Sequence, residues 1–523
     1  MSSDSEDDAG LVKQIQDQVG EWSTNSNEAF TISIYQGERK VESFNPEFTY
    51  PIYGEEEAIF GYQGLNISLS YAAHNLKPHL EITWDKEFEP QGEIRATDVR
   101  EPLEDFLPPT AFQKVDRKTA LADADATNFV PPGKRLETFE AKDGTYEVWV
   151  APFSDPRTKE LITNMQILVP MFIEGGTIME LEYPWIVDRW KLFMLYQIDP
   201  SPPPSTSKYI IAGYVTSFQA FTLPARGDEL ESTLQPHLEA EFDKIVSSWS
   251  DSSSPKPSPL SLSSRERISQ VILLPSRQRS GLGSRLYSII YQHLTAPDHI
   301  TELTIEDPNA AFDDMRDIAD MVYLRSTNST FKSLHLPSSI PSSALAPGEA
   351  IPLDLLLSPD ARTKLIKETK IQSRQLSRLI EMQLLSTIPR PNRSTSRITR
   401  KEKSSSEADR QYYFWRLLAK ERLYQFNRDS LAQLDLEERV EKVDAAVDGL
   451  KEDYERLLES VEKREKTVGA SNGTNGTPST KKRRKRVEIQ EDEGEDGEAV
   501  EEKESGSRKK KRRAIVEDDD EDS

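Results

Sequence analysis

A chain of 523 residues is long enough for about three domains, and 36% apolar with 30% charged residues suits globular parts joined to polar segments. Ninety acidic against 66 basic side chains leave a formal charge of −24, which excludes a chain-wide nucleic-acid binder, so that no direct DNA binding is expected, and favours a basic partner. There is no cysteine, which excludes disulfides, a cysteine nucleophile and thiolate metal sites.

Residues 1–9 are acidic and predicted to be disordered, and the opening Met1-Ser-Ser-Asp is the opposite of a basic secretory leader. No run of about 18 apolar residues occurs, so no membrane span is expected. Residues 10–144 read as a mainly-β domain, because Phe30–Tyr35, Leu65–Tyr71 and Leu80–Trp84 alternate with period two. Residues 1–150 hold 29 acids and 13 bases, a net of −16 out of the whole chain's −24. That surface is either a dock for a basic ligand or a plain solvated face.

Residues 145–330 read as mixed α/β. The predicted strands are Tyr146–Val150, Leu192–Ile198, Tyr209–Phe221, Ile268–Leu274 and Glu302–Glu306, and the predicted helices are Arg157–Pro170 and Gly283–Leu294. The Pro/Ser-rich stretch 199–207 is a loop, and 225–264 a surface insertion, which loop-closure entropy tolerates. Residues 331–466 form a helical region. Its apolar positions Val440, Val443, Val447, Leu450, Tyr454 and Leu457 step by three and four, a run too short for a coiled coil, so packing on the chain's own body is expected. Residues 467–523 are a charged tail with 13 bases and 16 acids, expected to stay disordered. Its clusters Lys481–Arg486 and Arg508–Arg513 suit either an import receptor or a non-specific charged tail. The histidines are too scattered for ligand spacing, and no metal site is expected.

The sharpest pattern is Arg267-Ile-Ser-Gln-Val-Ile-Leu-Leu-Pro-Ser-Arg-Gln-Arg-Ser-Gly-Leu-Gly-Ser-Arg-Leu-Tyr287. An apolar strand runs into Gln278-Arg-Ser-Gly-Leu-Gly283, which opens a helix. A helix N-terminus offers unpaired N–H groups, and glycines let an anion approach, so the loop suits a pyrophosphate with Arg277 and Arg279 at its rim. A dinucleotide fingerprint fails, because Gly281-x-Gly283 is followed by Ser-Arg-Leu, and a P-loop fails for want of a Gly-Lys-Ser/Thr ending. The loop does resemble the Gln/Arg-x-x-Gly-x-Gly/Ala loop of GCN5-related N-acetyltransferases.

Three further segments stand in order around this loop: Phe44-Asn-Pro-Glu-Phe-Thr-Tyr-Pro-Ile-Tyr-Gly-Glu-Glu-Glu-Ala-Ile-Phe-Gly-Tyr-Gln-Gly64, Tyr209-Ile-Ile-Ala-Gly-Tyr-Val-Thr216, and Thr301-Glu-Leu-Thr-Ile-Glu-Asp-Pro-Asn-Ala-Ala-Phe-Asp-Asp-Met-Arg-Asp317. Together they resemble the catalytic subunit of type B histone acetyltransferases, clearly over about residues 10–325 and more loosely to about 465. The resemblance implies an α+β or mixed α/β chain in which 10–144 bind histone, 145–330 carry a GCN5-related N-acetyltransferase fold and 331–466 are helical. It implies acetyl-CoA as co-substrate, lysines of the N-terminal tail of newly made histone H4 (with or without histone H3) as acceptors, and a WD40-repeat histone-binding subunit as partner. It assigns Glu306 as general base, with Glu174 and Asp307 as supporting carboxylates. Val271, Ile272 and Leu273 then line the acetyl-pantetheine arm, and a backbone N–H there stabilises the developing oxyanion. Gln278, Arg279, Ser280, Gly281, Leu282, Gly283 and Ser284 hold the pyrophosphate, and Asn309 and Arg316 reach the cofactor's far end. Glu55, Glu56 and Glu57, and a second stretch of Phe218, Gln219 and Ala220, contact the histone. Acetylation before chromatin assembly implies cytoplasm, and the basic clusters imply nucleus. Two other readings stay open: transfer to another protein lysine or amine, and an inactive fold acting as an acidic histone chaperone.

Overall fold

Short hairpins flank central strands buried along most of their length in the first part of the molecule, seen in a computed structural model that describes residues 20–92, 94–179, 181, 183–222, 259–346, 349–398 and 406–472. The acidic start, the bulk of the insertion and the tail from residue 473 lie outside the described residues. In chain order come β1 (Ser23–Asn25), β2 (Phe30–Gln36), β3 (Arg39–Phe44), β4 (Ala58–Phe60), β5 (Tyr62–Gln63), β6 (Asn66–Ala72), β7 (Pro78–Thr83) and β8 (Lys86–Glu87). Four form a sheet in the order β3-β2-β6-β7, and β1 pairs with β4 and β5 with β8. The three predicted strands are present as β2, β6 and β7, with ends moved by one or two residues.

A six-stranded sheet follows, built from β9 (Lys134–Ala141), β10 (Gly144–Pro152), β11 (Trp190–Ile198), β12 (Tyr209–Phe221), β13 (Ser264–Leu273) and β14 (Ile300–Ile305). Its order, β14-β13-β12-β11-β10-β9, is an antiparallel meander except at β13 and β14, which run parallel. Parallel neighbours need a crossover, and α2 (Leu282–Thr295) supplies it. Strand β9 escaped prediction because its sequence, Lys-Arg-Leu-Glu-Thr-Phe-Glu-Ala, is charged, as befits an edge strand kept from aggregating. The helix predicted over Arg157–Pro170 divides into α1 (Pro156–Met165), capped by Asp155, and a single turn, Leu168–Phe172.

One hydrophobic core joins the two large sheets. Phe30, Ile32, Leu69 and Tyr71 from the first pack in the same cluster as Leu192, Met194, Tyr214 and Ile272 from the second. Buried hydroxyls add fixed links, with Tyr71 donating to Asn164 O (3.0 Å) and Tyr196 to His74 O (3.0 Å). The predicted border at 144/145 therefore does not separate two cores.

Packing divides the chain into two units, 1–319 with 363–376, and 320–362 with 377–523. In the first, α3 (Ala310–Thr327) begins directly after the β14 turn. The returning segment finishes the β14 edge, where Leu303 N–H donates to Lys370 O (2.7 Å) and Tyr291 Oη to Thr369 O (2.6 Å). The second unit is helical. There α4 (Glu407–Phe426) buries Tyr412 and Trp415, and α5 (Leu436–Asn472) buries Val443, Val447, Tyr454 and Leu457. Trp415 meets Tyr454 edge-on at 6.4 Å, and Arg416 bonds Asp444 at 2.7 Å, so the heptad-like stripe packs on its own body as expected. Val440 stays outside the stripe, half exposed, and the last helix continues six residues past the predicted end at 466.

Candidate functional site

Strands β13 and β14 part company at one point. Their pairing ends at Ile268 and Ile305, and Glu306 N–H closes it on Ile268 O (2.9 Å). Beyond it β13 continues five residues along β12 alone. The N–H of Gln270 reaches Thr216 Oγ1 (3.1 Å) and that of Leu274 reaches Ala212 O (3.0 Å), both on the β12 side. Strand alternation then turns the N–H groups of Val271 and Leu273 toward the edge that β14 has left.

A cleft of about 570 Å³ opens at this fork. It brings together three predicted catalytic carboxylates, Glu174, Glu306 and Asp307, with Val271 and Asn309. Glu306 is held from two sides: Ser269 Oγ donates to Oε2, and Arg267 pairs with Oε1 at 3.4 Å. Its side chain is 32% exposed, so the carboxylate is anchored yet open to a ligand. Neither anchor was assigned a role from sequence. Alternation puts Arg267, Ser269 and Val271 on one face of β13, and the placement of β14 brings Glu306 beside the first two. Gln270, on the other face, donates to Thr177 O (3.1 Å) and fixes the stretch that follows Glu174. Asp307 has φ +32, a sparsely populated conformation for a non-glycine residue, held where β14 turns into α3. Asn309 secures that turn by accepting Phe312 N–H at 2.9 Å, so its amide oxygen serves as a helix cap while the residue lines the cleft. Arg316 lies about two turns further on and bonds Asp313 at 2.5 Å, away from the cleft lining.

Past Leu273 the chain makes a one-turn 3₁₀ helix, Pro275–Arg277, and enters α2 with Gly281 as its cap. Gly281 has φ +91, which an L side chain rarely adopts, and it brings no side-chain acceptor to the first turn. Gly283 seats α2 on β13: a Cβ there would stand 3.3 Å from Leu273 Cδ1. Gln278 Nε2 donates to Leu273 O (3.0 Å) and Ser280 Oγ to Arg277 O (2.6 Å), bracing the loop from beneath. Gln278, Arg279, Ser280 and Gly281 are exposed, while Leu282 and Ser284 are buried under the helix. An exposed turn, a glycine cap and a helix N-terminus without side-chain capping fit a pyrophosphate. Arg277 departs from its expected place at the rim. Its guanidinium bonds Asp143 (3.0 Å) in the turn between β9 and β10 and Gln197 (2.7 Å) on β11. Burial acts against ionised Asp143, yet the Tyr146 hydroxyl and Arg277 hold its carboxyl below the usual range.

The residues expected to touch histone divide by chemistry. Glu55 and Glu56 are exposed in the turn after Gly54. Glu57 is turned inward: its carboxylate accepts from Thr49 N–H (2.7 Å), Tyr50 N–H (3.2 Å) and Asn27 Nδ2 (2.6 Å). Of the second stretch, Gln219 is buried, its amide donating to Leu260 O (2.8 Å) and Ser264 Oγ (3.1 Å). Phe218 and Ala220 are half-buried, Phe218 beside Trp190 (5.0 Å between rings) and directly across from Arg267. The stretch therefore adjoins the Glu306 face through Phe218. Among the described residues no group of His, Asp and Glu is arranged to hold a metal ion, and no helix is long and apolar enough to cross a membrane.

Sequence relatives cover most of the chain. The family described as "Histone acetyl transferase HAT1 N-terminus" matches residues 22–174. A histone acetyltransferase type B catalytic subunit from Neurospora crassa is 37% identical, covering 86% of this chain and 90% of its own length. One from Aspergillus fumigatus is 36% identical, over 86% of this chain and 79% of its own. The chain belongs to the type B histone acetyltransferase catalytic-subunit family. It is thus an acyltransferase, and acetyl-CoA is the co-substrate that family membership implies. The family match in the N-terminal region ends on Glu174, so that region supplies one wall of the cleft, and β13 and β14 supply the other.

Proposed function

We propose that this enzyme transfers the acetyl group of acetyl-CoA to lysine side chains in the N-terminal tail of free, newly made histone H4, before assembly into chromatin. The observation that carries the reading is Glu306, anchored by Arg267 and Ser269 at the β13–β14 fork and facing a cleft that Glu174 and Asp307 also line. A lysine with a reference pKa near ~10.4 is almost wholly protonated at neutral pH. Glu306 accepts the ammonium's proton, directly or through one water. Glu174 and Asp307 attract the cationic side chain into the cleft. The thioester supplies the activated acetyl group when bound. Val271 N–H, on the edge vacated by β14, stabilises the negative charge that develops on its oxygen. The uncapped N-terminus of α2 and the Gln278–Gly281 turn hold the pyrophosphate, with Arg279 at the rim.

The acidic first third supports a basic substrate, with Glu55 and Glu56 as the outward-facing contacts. A WD40-repeat histone-binding subunit is the partner proposed to present the tail. The two basic clusters of the tail support passage between cytoplasm and nucleus. Deleting 478–523 and imaging the protein tests that step, and an unchanged nuclear signal contradicts it.

An acceptor panel tests the reading as a whole. Labelled acetyl-CoA is supplied with free H4, an H4-tail peptide, assembled nucleosomes and a simple polyamine. Fast transfer to free H4 and its peptide, with nucleosomes poor acceptors, supports the proposal. Equal transfer to the polyamine, or preference for nucleosomes, contradicts it.

A further inference from the structure

The cleft holds one carboxylate to which neither the resemblance nor the mechanism above assigns a role. Of the residues lining it, four are acidic, Glu47, Glu174, Glu306 and Asp307, and none is lysine or arginine. Glu306 has Arg267 as a counter-charge. Glu47 is exposed and forms no ion pair among the described residues. Its position is nonetheless fixed. The N–H groups of Glu47 and Phe48 both donate to Met171 O, at 3.0 and 3.1 Å. Phe44 packs edge-on against Phe172 (5.6 Å), and Tyr50 Oη accepts Gly175 N–H (2.8 Å). The segment Phe44–Tyr50 is thereby stapled to the turn that presents Glu174, and the two carboxylates share one wall, with Glu306 and Asp307 across the cleft.

We propose that Glu47 is a specificity-determining residue that pairs with a basic side chain of the substrate next to the lysine being acetylated. The proposal rests on the basic-tail reading given above. One lysine nitrogen needs one proton acceptor, so the free carboxylate on the opposite wall exceeds what the chemistry requires. A cleft lined by one sign of charge concentrates cationic ligands, and a rim carboxylate without an internal partner loses nothing when it meets a guanidinium or a second ammonium. The same geometry makes Glu47 a selector: a lysine flanked by neutral or acidic residues gains nothing from it.

The test measures kcat and KM for two peptides, a free H4 tail and the same tail with every basic residue except the acceptor lysine replaced by glutamine. Glu47→Gln is expected to raise KM for the basic peptide about tenfold, to leave kcat within about twofold, and to flatten the salt dependence of kcat/KM. It is expected to leave the neutralised peptide unchanged, and Glu47→Asp is expected to restore much of the loss. Equal losses on both peptides, or a fall in kcat at constant KM, would overturn the proposal. Absence of transfer to the basic peptide by the wild type would overturn the basic-tail reading and the proposal with it, an outcome distinct from any change in the variant. Thermal unfolding of Glu47→Gln, expected to match the wild type, separates these effects from misfolding.

Discussion

Three consecutive glutamates, Glu55, Glu56 and Glu57, look alike in the sequence and do different work in the fold. Glu57 satisfies two backbone N–H groups at the start of the Tyr50–Tyr53 turn and an amide from Asn27. Replacing it with alanine leaves those donors without an acceptor, and we expect a loss of about 1–3 kcal/mol in denaturant unfolding. Glu55→Gln with Glu56→Gln should leave the unfolding midpoint unchanged and weaken histone binding, most of all at low salt. Ser269 and Arg267 show the same division at the centre. Ser269→Ala should lower kcat several-fold while stability holds, because it removes one of the two groups that hold the Glu306 carboxylate. The order of motifs pointed to Glu306 and its neighbours. It did not show which residues hold the Glu306 carboxylate, because an arginine and a serine on a strand read as ordinary alternation until β14 is placed beside them.

At the scale of elements, two glycines of the fork differ in kind. Gly213 on β12 lies so close to β13 that a Cβ would stand 2.5 Å from Ile272 O. Gly213→Ala should therefore push the strands apart, lowering the unfolding midpoint and the activity together. Gly281 has open space where its Cβ would be, and only its φ of +91 resists substitution. Gly281→Ala should weaken CoA binding in a calorimeter by about tenfold through a shifted α2 cap, while the melting temperature moves little. The loop, the strand before it and the helix after it were legible because glycine punctuation and an apolar run are local signals. Strand β9 was not, since an edge strand is under pressure to carry charge. The inward turn of Arg277 was also hidden, because its partners Asp143 and Gln197 are remote in sequence.

Across the whole molecule, burial leaves a titration signature. His74, His79, His293 and His299 all belong to the first unit, and burial lowers the pKa of each below the ordinary value of 6.5. For His74 the Asp123 carboxylate opposes that shift without cancelling it. Between the ordinary value and its depressed folded pKa such a group binds fewer protons folded than unfolded, so stability falls as pH drops through 6.5 and toward the folded pKa. The melting temperature should decline between pH 7.5 and 5.5, before the carboxylates titrate, and a flat profile over that range would contradict the assignment. The shared core of the two large sheets was the least legible feature. Period-two alternation marks each buried face but not which other face covers it, so residues 10–144 and 145–330 read as separate bodies although Phe30 and Leu192 lie in one cluster.

In the proposed reaction Glu306 takes the proton from the acceptor amine. The direct test is the rate of acetyl transfer to an H4-tail peptide by wild type and by Glu306→Gln, with the affinity for acetyl-CoA measured on the same samples. The variant is expected to bind acetyl-CoA as the wild type does and to lose about 10²-fold or more in kcat. Equal turnover in both would contradict it and move the base to Glu174, Asp307 or a water chain.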